Sequence, residues 1–199
     1  MRATIEFARK AITGFDLHLI SGDGALRNRE AIMQTKFLGS PGKLSDCAAG
    51  ELIRVNWGGR DNLAIVVKPV NGGLVVVFLP FGAAEPTVGV AQASSKLVLR
   101  YGTDWLLEMI YPQDMSPKAT ASEVVGSVVR SSTGTHICVL DKTPQSINEP
   151  VYVNVEANSF GNPEGPVVET QRWKIWAAPN DCDTPGRFPL YEYQPPAEV

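Results

Sequence analysis

The chain has 199 residues, of which 44% are apolar and 20% are charged, a composition typical of a folded globular protein and unlike that of a disordered chain. Its net charge of −3 does not supply the positive field that attracts phosphate backbones, so general nucleic-acid binding is disfavoured. The longest apolar run, Leu74 to Leu79, is much shorter than the roughly 18–20 residues that cross a bilayer, and no membrane span is expected.

The start of the chain and the cysteines predict the cellular compartment of the protein. The sequence from Met1 to Glu6 does not lead into an apolar stretch of roughly 7–15 residues with a cleavage site, as an export signal would. Cys47, Cys138 and Cys182 are an odd number at wide spacing, which matches neither a disulfide framework nor a metal-binding CxxC pair. We therefore expect a reducing cytoplasm, or the inside of a virion or another assembly.

Short strands separated by frequent breakers dominate the pattern. The chain contains 18 glycines and 15 prolines, which leave few stretches long enough for a helix. Alternating apolar residues and β-branched runs predict an all-β fold, in the form of a sandwich, a barrel or two small barrels. The ten predicted strands are 51–57, 63–70, 74–79, 96–101, 105–111, 124–129, 135–140, 151–155, 172–177 and 190–193.

Two short segments predict hairpin turns. Asn71-Gly72-Gly73 joins two β-branched runs, and glycine adopts the positive φ of a tight turn without strain. Ser131 to Gly134 predicts the second turn, between strands 124–129 and 135–140.

Strand 96–101 shows the cleanest alternation of apolar and charged residues. Its pattern predicts that Leu97, Leu99 and Tyr101 point inward and that Lys96 and Arg100 point outward.

The chain is expected to divide into two subdomains. The polar, small-residue stretch from Gly82 to Ser95 separates two clusters of strands, so we place a boundary near residue 90. The first subdomain, 1–90, contains at most a short N-terminal helix, because Ile5, Ala8 and Ile12 share one helical face. The second, 91–199, has an acidic, aromatic-rich end.

One family resemblance lies in the first subdomain. Ala49-Gly50-Glu51-Leu52-Ile53-Arg54-Val55, a turn, Ala64–Val67 and then Gly73–Val77 resemble the opening strands of SH3-like small β-barrels, which often begin with a glycine and an acid before an apolar strand. The resemblance covers residues 49–77 of a candidate module at 45–80. It implies a compact barrel, with two SH3-like subdomains as one form of the whole fold, and a binding role; it assigns no catalytic residue.

His136 and Cys138 are the first candidate catalytic pair. They share one face of strand 135–140, where a thiol and an imidazole could form a nucleophile with its base or one edge of a metal site. A structural zinc site needs about four ligands, and no second ligand pair has suitable spacing. We therefore favour a partly buried histidine beside an inert core cysteine, with no metal and no cofactor.

Asp104 and Glu108 are the second candidate pair. In an extended strand, an offset of four places both carboxylates on one side, beside Trp105, whose ring could stack on a sugar. Such paired acids are typical of glycosidases. The favoured interpretation is that both acids are solvated positions opposite Leu107 and Met109.

The aromatic residues of the C-terminal third predict a contact surface. Trp173 and Trp176 are three residues apart, so in a strand they point to opposite faces, and Tyr191 and Tyr193 follow closely. Trp173 shares its face with Ile175 and is expected in the core, whereas Trp176 is expected to face a partner. Alternation alone also allows the reverse assignment, and packing of both rings in the core is the commoner use of tryptophan.

These observations favour a non-catalytic binding or assembly protein that acts through a protein–protein surface. The expected partner is another protein or a second copy of the chain, and a component of a viral or phage assembly would fit this interpretation. The alternative is a small hydrolase-type enzyme that uses His136 and Cys138, or the carboxylates of Asp104 and Glu108.

Overall fold

A computed structural model describes residues 39–70, 73–81, 84–92, 96–112, 115–143, 146 and 148–195. This part of the chain forms fourteen strands and two short 3₁₀ turns, Leu44–Asp46 and Pro179–Asp181. The strands are β1 (Ser40–Lys43), β2 (Leu52–Trp57), β3 (Arg60–Val70), β4 (Gly73–Pro80), β5 (Thr87–Gln92), β6 (Leu97–Gly102), β7 (Leu106–Met109), β8 (Val128–Ser131), β9 (Gly134–Asp141), β10 (Pro150–Asn154), β11 (Ser159–Phe160), β12 (Val168–Thr170), β13 (Trp173–Trp176) and β14 (Tyr191–Tyr193).

Eleven strands of the described part form one large sheet. Its order is β1-β6-β2-β3-β4-β5-β9-β10-β11, with β8 beside β9 and β12 beside β8. These strands pair antiparallel except β5 and β9, which run parallel over only two residue pairs, Thr87 with Leu140 and Val88 with Asp141. The sheet therefore has two sections. The first contains the neighbouring strands β1-β6-β2-β3-β4-β5, the second contains β8 to β12, and the short parallel contact joins them.

A small sheet, β14-β13-β7, packs against the large one and closes the main core. Trp173 of β13 is fully buried and stacks on Tyr193 of β14, with ring centroids 5.5 Å apart. Ile65 of β3 and Ile137 of β9 belong to the same buried cluster. Both sections of the large sheet thus contribute to one core.

A second core lies on the other face of the first section. Leu44, Ile53, Val66, Val76 and Val98 are buried there together. Because β3 and β4 are covered on both faces, their central residues are apolar without alternation, as the run Leu74 to Leu79 shows.

The all-β prediction is confirmed, and the sheets are not closed barrels. Each of the ten predicted strands overlaps an observed one. The sequence interpretation missed β1, β5, β11 and β12. β11 has two residues and β12 three, too few for a period to show, and β5 lies in the stretch of small residues that separates the two clusters of predicted strands.

One predicted strand, 124–129, begins later, at Val128. Gly126 lies in the left-handed region, with φ of 87°, and its carbonyl oxygen accepts the indole N–H of Trp173 at 2.8 Å. A Cβ at this position would collide with the ring of Tyr193. The chain therefore turns at Gly126 to accommodate the aromatic core before the strand starts.

The predicted inner face of strand 96–101 is wrong at its beginning. Leu97 is 74% exposed, whereas Val98 is buried in the second core. Arg100, expected to point outward into solvent, instead forms an ion pair with the buried carboxylate of Glu51. Tyr101 does pack against the main core, as predicted, but the opposite face of β6 is covered too, since Val98 packs in the second core with Leu44, a contact that the sequence pattern did not reveal.

Both predicted hairpins are present in the strand pairing. Val70 pairs with Gly73, although Asn71 and Gly72 of that turn lie outside the described residues. Gly73 has no positive φ; it is in β4, where a Cβ would lie only 2.6 Å from the carbonyl oxygen of Ala91. In the second hairpin Ser131 pairs with Gly134.

The predicted N-terminal helix lies outside the described residues. The boundary placed near residue 90 falls inside β5, and β6 after it pairs with β1 and β2 before it. No helix in the described part is long and apolar enough to cross a membrane.

Candidate functional site

His136 is a buried structural residue whose tautomer is fixed by its neighbours. Its Nδ1–H donates to the carbonyl oxygen of Gly134 at 3.2 Å, and its Nε2 lies 3.3 Å from Nδ2 of Asn154. The Asn154 Oδ1 accepts the backbone N–H groups of Glu156 and Ala157, so its NH₂ must donate to His136. Burial lowers the pKa of His136, which agrees with a neutral ring.

Cys138 is equally unsuited to nucleophilic chemistry. Its side chain is fully buried with Val129, Tyr152 and Val167, and burial raises the pKa of its thiol to about 12. A thiol with this pKa is protonated at neutral pH and is a poor nucleophile. Among the residues that the structure describes, no group of three or more His, Cys, Asp or Glu side chains could hold a metal ion.

Asp104 and Glu108 have different environments. Asp104 is exposed and precedes β7, whereas Glu108, in β7, accepts the indole N–H of Trp176 at 2.8 Å. The Glu108 carboxylate therefore already has a structural partner. This arrangement does not support the pairing of two acids around a sugar.

The C-terminal aromatic residues are core and not surface. Trp173, Tyr191 and Tyr193 are at most 3% exposed, and Trp176 is 7% exposed because it packs in the small sheet against β7. The prediction of an exposed ring at Trp176 is therefore wrong. The exposed aromatic side chain of this segment is Phe188, which is not part of a strand.

Glu169 is a buried charge that the sequence interpretation did not identify as structural. Its carboxylate accepts hydrogen bonds from Lys118, at 3.0 Å, and from the hydroxyl of Ser122. Burial acts to raise the pKa of this carboxyl, but the hydrogen bonds from Ser122 and Lys118 outweigh it and the pKa is lowered. The ionised carboxylate, which belongs to β12, thus holds the segment that precedes β8 through these two hydrogen bonds.

A partly apolar groove of about 920 Å³ lies between the two sections of the large sheet. We call it the β5 groove. Its apolar lining includes Val70, Val90 and Phe160, which are 36–40% exposed and therefore available for contact. The groove is also lined by Lys68, Val75, Gln92, Asp141, Lys142, Thr143, Pro150, Val151, Tyr152, Gly161 and Asn162.

The groove exists because β5 and β9 separate. β9 ends at Asp141. The next residue, Lys142, still donates its backbone N–H to the carbonyl oxygen of Val88 at 2.9 Å. The Asp141 carboxylate accepts the backbone N–H of Thr143 at 2.8 Å, an Asx turn that directs the chain away from β5.

Beyond this separation, no described strand lies beside β5 on the side that faces β9. Backbone groups alternate in direction along a strand, so the N–H and C=O groups of Val90 and Gln92 point to the same side as the carbonyl of Val88. Within the described part of the chain, these two residues have no backbone hydrogen-bond partner on that side. Among the residues that the structure describes, the β5 groove therefore contains an open sheet edge.

The charges around this edge are mainly positive. Lys68 and Lys142 line the groove, against one acid, Asp141, whose carboxylate already accepts a backbone N–H. The ammonium group of Lys68 lies 5.6 Å from the centre of the Phe160 ring, so β3 and β11 approach each other across the groove.

The sequence interpretation missed this site. Val88 and Val90 do alternate around Gly89, but the neighbouring small residues obscured the strand. Phe160 belongs to a strand of two residues, which carries no period.

Comparisons with known proteins identify no relative. No protein-family model matches the chain, and searches of curated proteins and of solved structures found no match.

Proposed function

We propose that this protein is a non-catalytic binding protein whose partner is an extended polypeptide segment that adds as a strand to β5. The observation that carries the proposal is the open edge at Val90 and Gln92 inside an apolar groove. An edge of this kind pairs readily with another chain, and natural proteins usually cover it or protect it with charge.

The chemistry of the groove indicates what the segment contains. Main-chain hydrogen bonds to Val90 and Gln92 supply affinity without regard to sequence, and alternate side chains of the segment contact Val70 or Phe160. Lys68 and Lys142 favour an acidic residue in the segment. The segment is therefore expected to be apolar at alternate positions and to contain at least one acid.

The environments of the candidate catalytic residues support binding over hydrolysis. His136 has both ring nitrogens engaged, the thiol of Cys138 has a pKa of about 12, and Glu108 holds Trp176. None of these groups is free to attack or protonate a substrate in this arrangement.

The test is selection of peptides from a displayed library of random segments of about ten residues, enough to span a strand. Val90→Pro is the test variant. Proline lacks the N–H that Val90 directs into the groove, and the hydrogen bonds between β5 and β4 stay intact. Phe160→Ala is the second, because it changes the wall of the groove and leaves β5 intact.

We expect selected peptides to bind the wild type and to bind both variants at least about tenfold more weakly, the effect of roughly 1.4 kcal/mol. Sedimentation of the wild type alone shows whether a second copy is the partner, in which case a dimer forms that Val90→Pro dissociates. If the library yields no peptide and the protein sediments as a monomer, or if peptides bind Val90→Pro equally, the proposal is wrong.

A further inference from the structure

A second groove, of about 600 Å³, lies where the turn before β2 meets the segment before β7 and the ends of β8, β9 and β10. We call it the Trp105 groove. It does not share a residue with the β5 groove, and its argument does not depend on the proposed peptide binding. Trp105 lines it together with Arg130, Thr135, Glu156 and Asn158.

The indole of Trp105 is held in one orientation. Its N–H donates to the carbonyl oxygen of Gly50 at 2.8 Å, so the indole is not a free donor. The half-buried ring packs against the main core and also lines the groove. Gly50 lies at φ of 80°, and the amide of Asn158 packs where its Cβ would be, with both amide atoms 3.1 Å from that position. A Cβ at residue 50 would therefore push the Asn158 amide aside by a few tenths of an ångström.

A row of connected polar groups lines the groove as well. Arg130 donates from Nη1 to the hydroxyl oxygen of Thr135 at 2.6 Å and to the carboxylate of Glu156. Thr135 donates to the same oxygen, Oε1, at 2.8 Å. The side chains of Arg130 and Glu156 are still 53% and 52% exposed, so the guanidinium retains donors, and the other carboxylate oxygen an acceptor, that a ligand can reach.

This combination selects a class of ligand by its chemistry. The facing charges of Arg130 and Glu156 cancel, so a strongly anionic or cationic ligand gains little here. A sugar ring offers a face of C–H groups to an aromatic surface and neighbouring hydroxyls that both donate and accept. We propose that the Trp105 groove binds a neutral pyranose sugar, with its ring against Trp105 and its hydroxyls bonded to Arg130 and Glu156.

The proposal predicts a specific spectroscopic response. The chain has four tryptophans, and only Trp105 lines this groove. We would titrate glucose, galactose, mannose and N-acetylglucosamine separately, and follow the indole N–H resonances by NMR. At least one sugar should shift the Trp105 signal, with a Kd on the order of 1 mM, the affinity expected for a few exposed hydrogen bonds.

Glu156→Gln is the test variant, because it keeps the shape of the side chain and removes its charge. It should weaken binding about tenfold or more, since hydrogen bonds to charged groups are the stronger ones. Glu149→Gln, an equivalent change at an exposed position outside the groove, is the matched control and should bind like the wild type. If none of the four sugars shifts the Trp105 signal at about 50 mM, well above the expected Kd, or if Glu156→Gln binds equally, the proposal is overturned.

Discussion

Lys142 donates its backbone N–H to the carbonyl oxygen of Val88 at 2.9 Å, and immediately beyond this bond β5 and β9 separate. The parallel contact between the two sections of the large sheet thus ends after two residue pairs. In the part of the chain that the structure describes, the rest of β5 is an open edge, and Val70, Val90 and Phe160 line the groove beside it.

The buried thiols should be unreactive in the folded protein. Burial raises the pKa of Cys47 to about 11 and that of Cys138 to about 12, so both stay protonated at pH 8. Cys182 is partly exposed, and we expect iodoacetamide to modify it first. Peptide mass spectrometry before and after unfolding in urea measures this order. Modification of Cys138 in the folded protein, at the rate seen after unfolding, would contradict the burial argument.

His136 should make stability depend on pH in the mildly acidic range. Burial lowers its pKa in the folded state, whereas in the unfolded chain it takes up a proton as the pH falls through about 6.5. The unfolded state then binds more protons, so stability declines as the pH falls from about 7.5 to 5.5. Urea unfolding should show a smaller decline for His136→Gln; an equal decline in both proteins would mean that the ring is not held neutral.

Gly126 should be essential to the aromatic core. Gly126→Ala forces a Cβ into the ring of Tyr193 at a residue with φ of 87°, and we expect a loss of about 3 kcal/mol or more, from strain and from displacement of the core. Gly58→Ala is the matched control, because Gly58 also has positive φ but no atom within 4 Å of its Cβ position. It should lose only about 1 kcal/mol. Similar losses in the two variants would contradict the steric account.

Trp176 should stabilise the fold and have no effect on assembly. Trp176→Phe removes the hydrogen bond to Glu108 and leaves that acceptor without its partner, which typically costs about 1–3 kcal/mol. Phe188→Ser, at the exposed ring of the same segment, should leave the free energy of unfolding nearly unchanged. Denaturant unfolding and sedimentation of both variants check this. A change in sedimentation mass for Trp176→Phe with unchanged stability would restore the interface interpretation.

The sequence predicts those strands whose residues are buried throughout or at every second position. It does not predict which face of a strand is buried when residues far away in the chain cover that face. The run Leu74 to Leu79 identifies β4 because both of its faces are buried. In β6 the same reasoning misplaces Leu97 and Val98, since the face of Val98 is covered by distant residues of the second core, among them Leu44, more than fifty residues earlier.

The candidate site is less accessible to sequence reasoning than the strands are. The lack of further ligand pairs predicts an inert core cysteine, and Cys138 is buried in the core; His136 is more deeply buried than its pattern indicates. The β5 groove depends on where β9 leaves β5, and on Phe160 from a strand of two residues. Neither feature has a local pattern in the sequence, so the groove could only be found in the folded structure.

The most direct test of the open edge is the hydrogen exchange of individual backbone amides in the free protein, followed by NMR. Gly89 and Ala91 direct their N–H groups toward β4, whereas Val90 and Gln92 direct theirs into the β5 groove. We predict that Gly89 and Ala91 are protected and that Val90 and Gln92 exchange at least about tenfold faster, close to the rate of loop amides. Equal protection of all four amides would contradict the account, because it would mean that the edge of β5 is already paired.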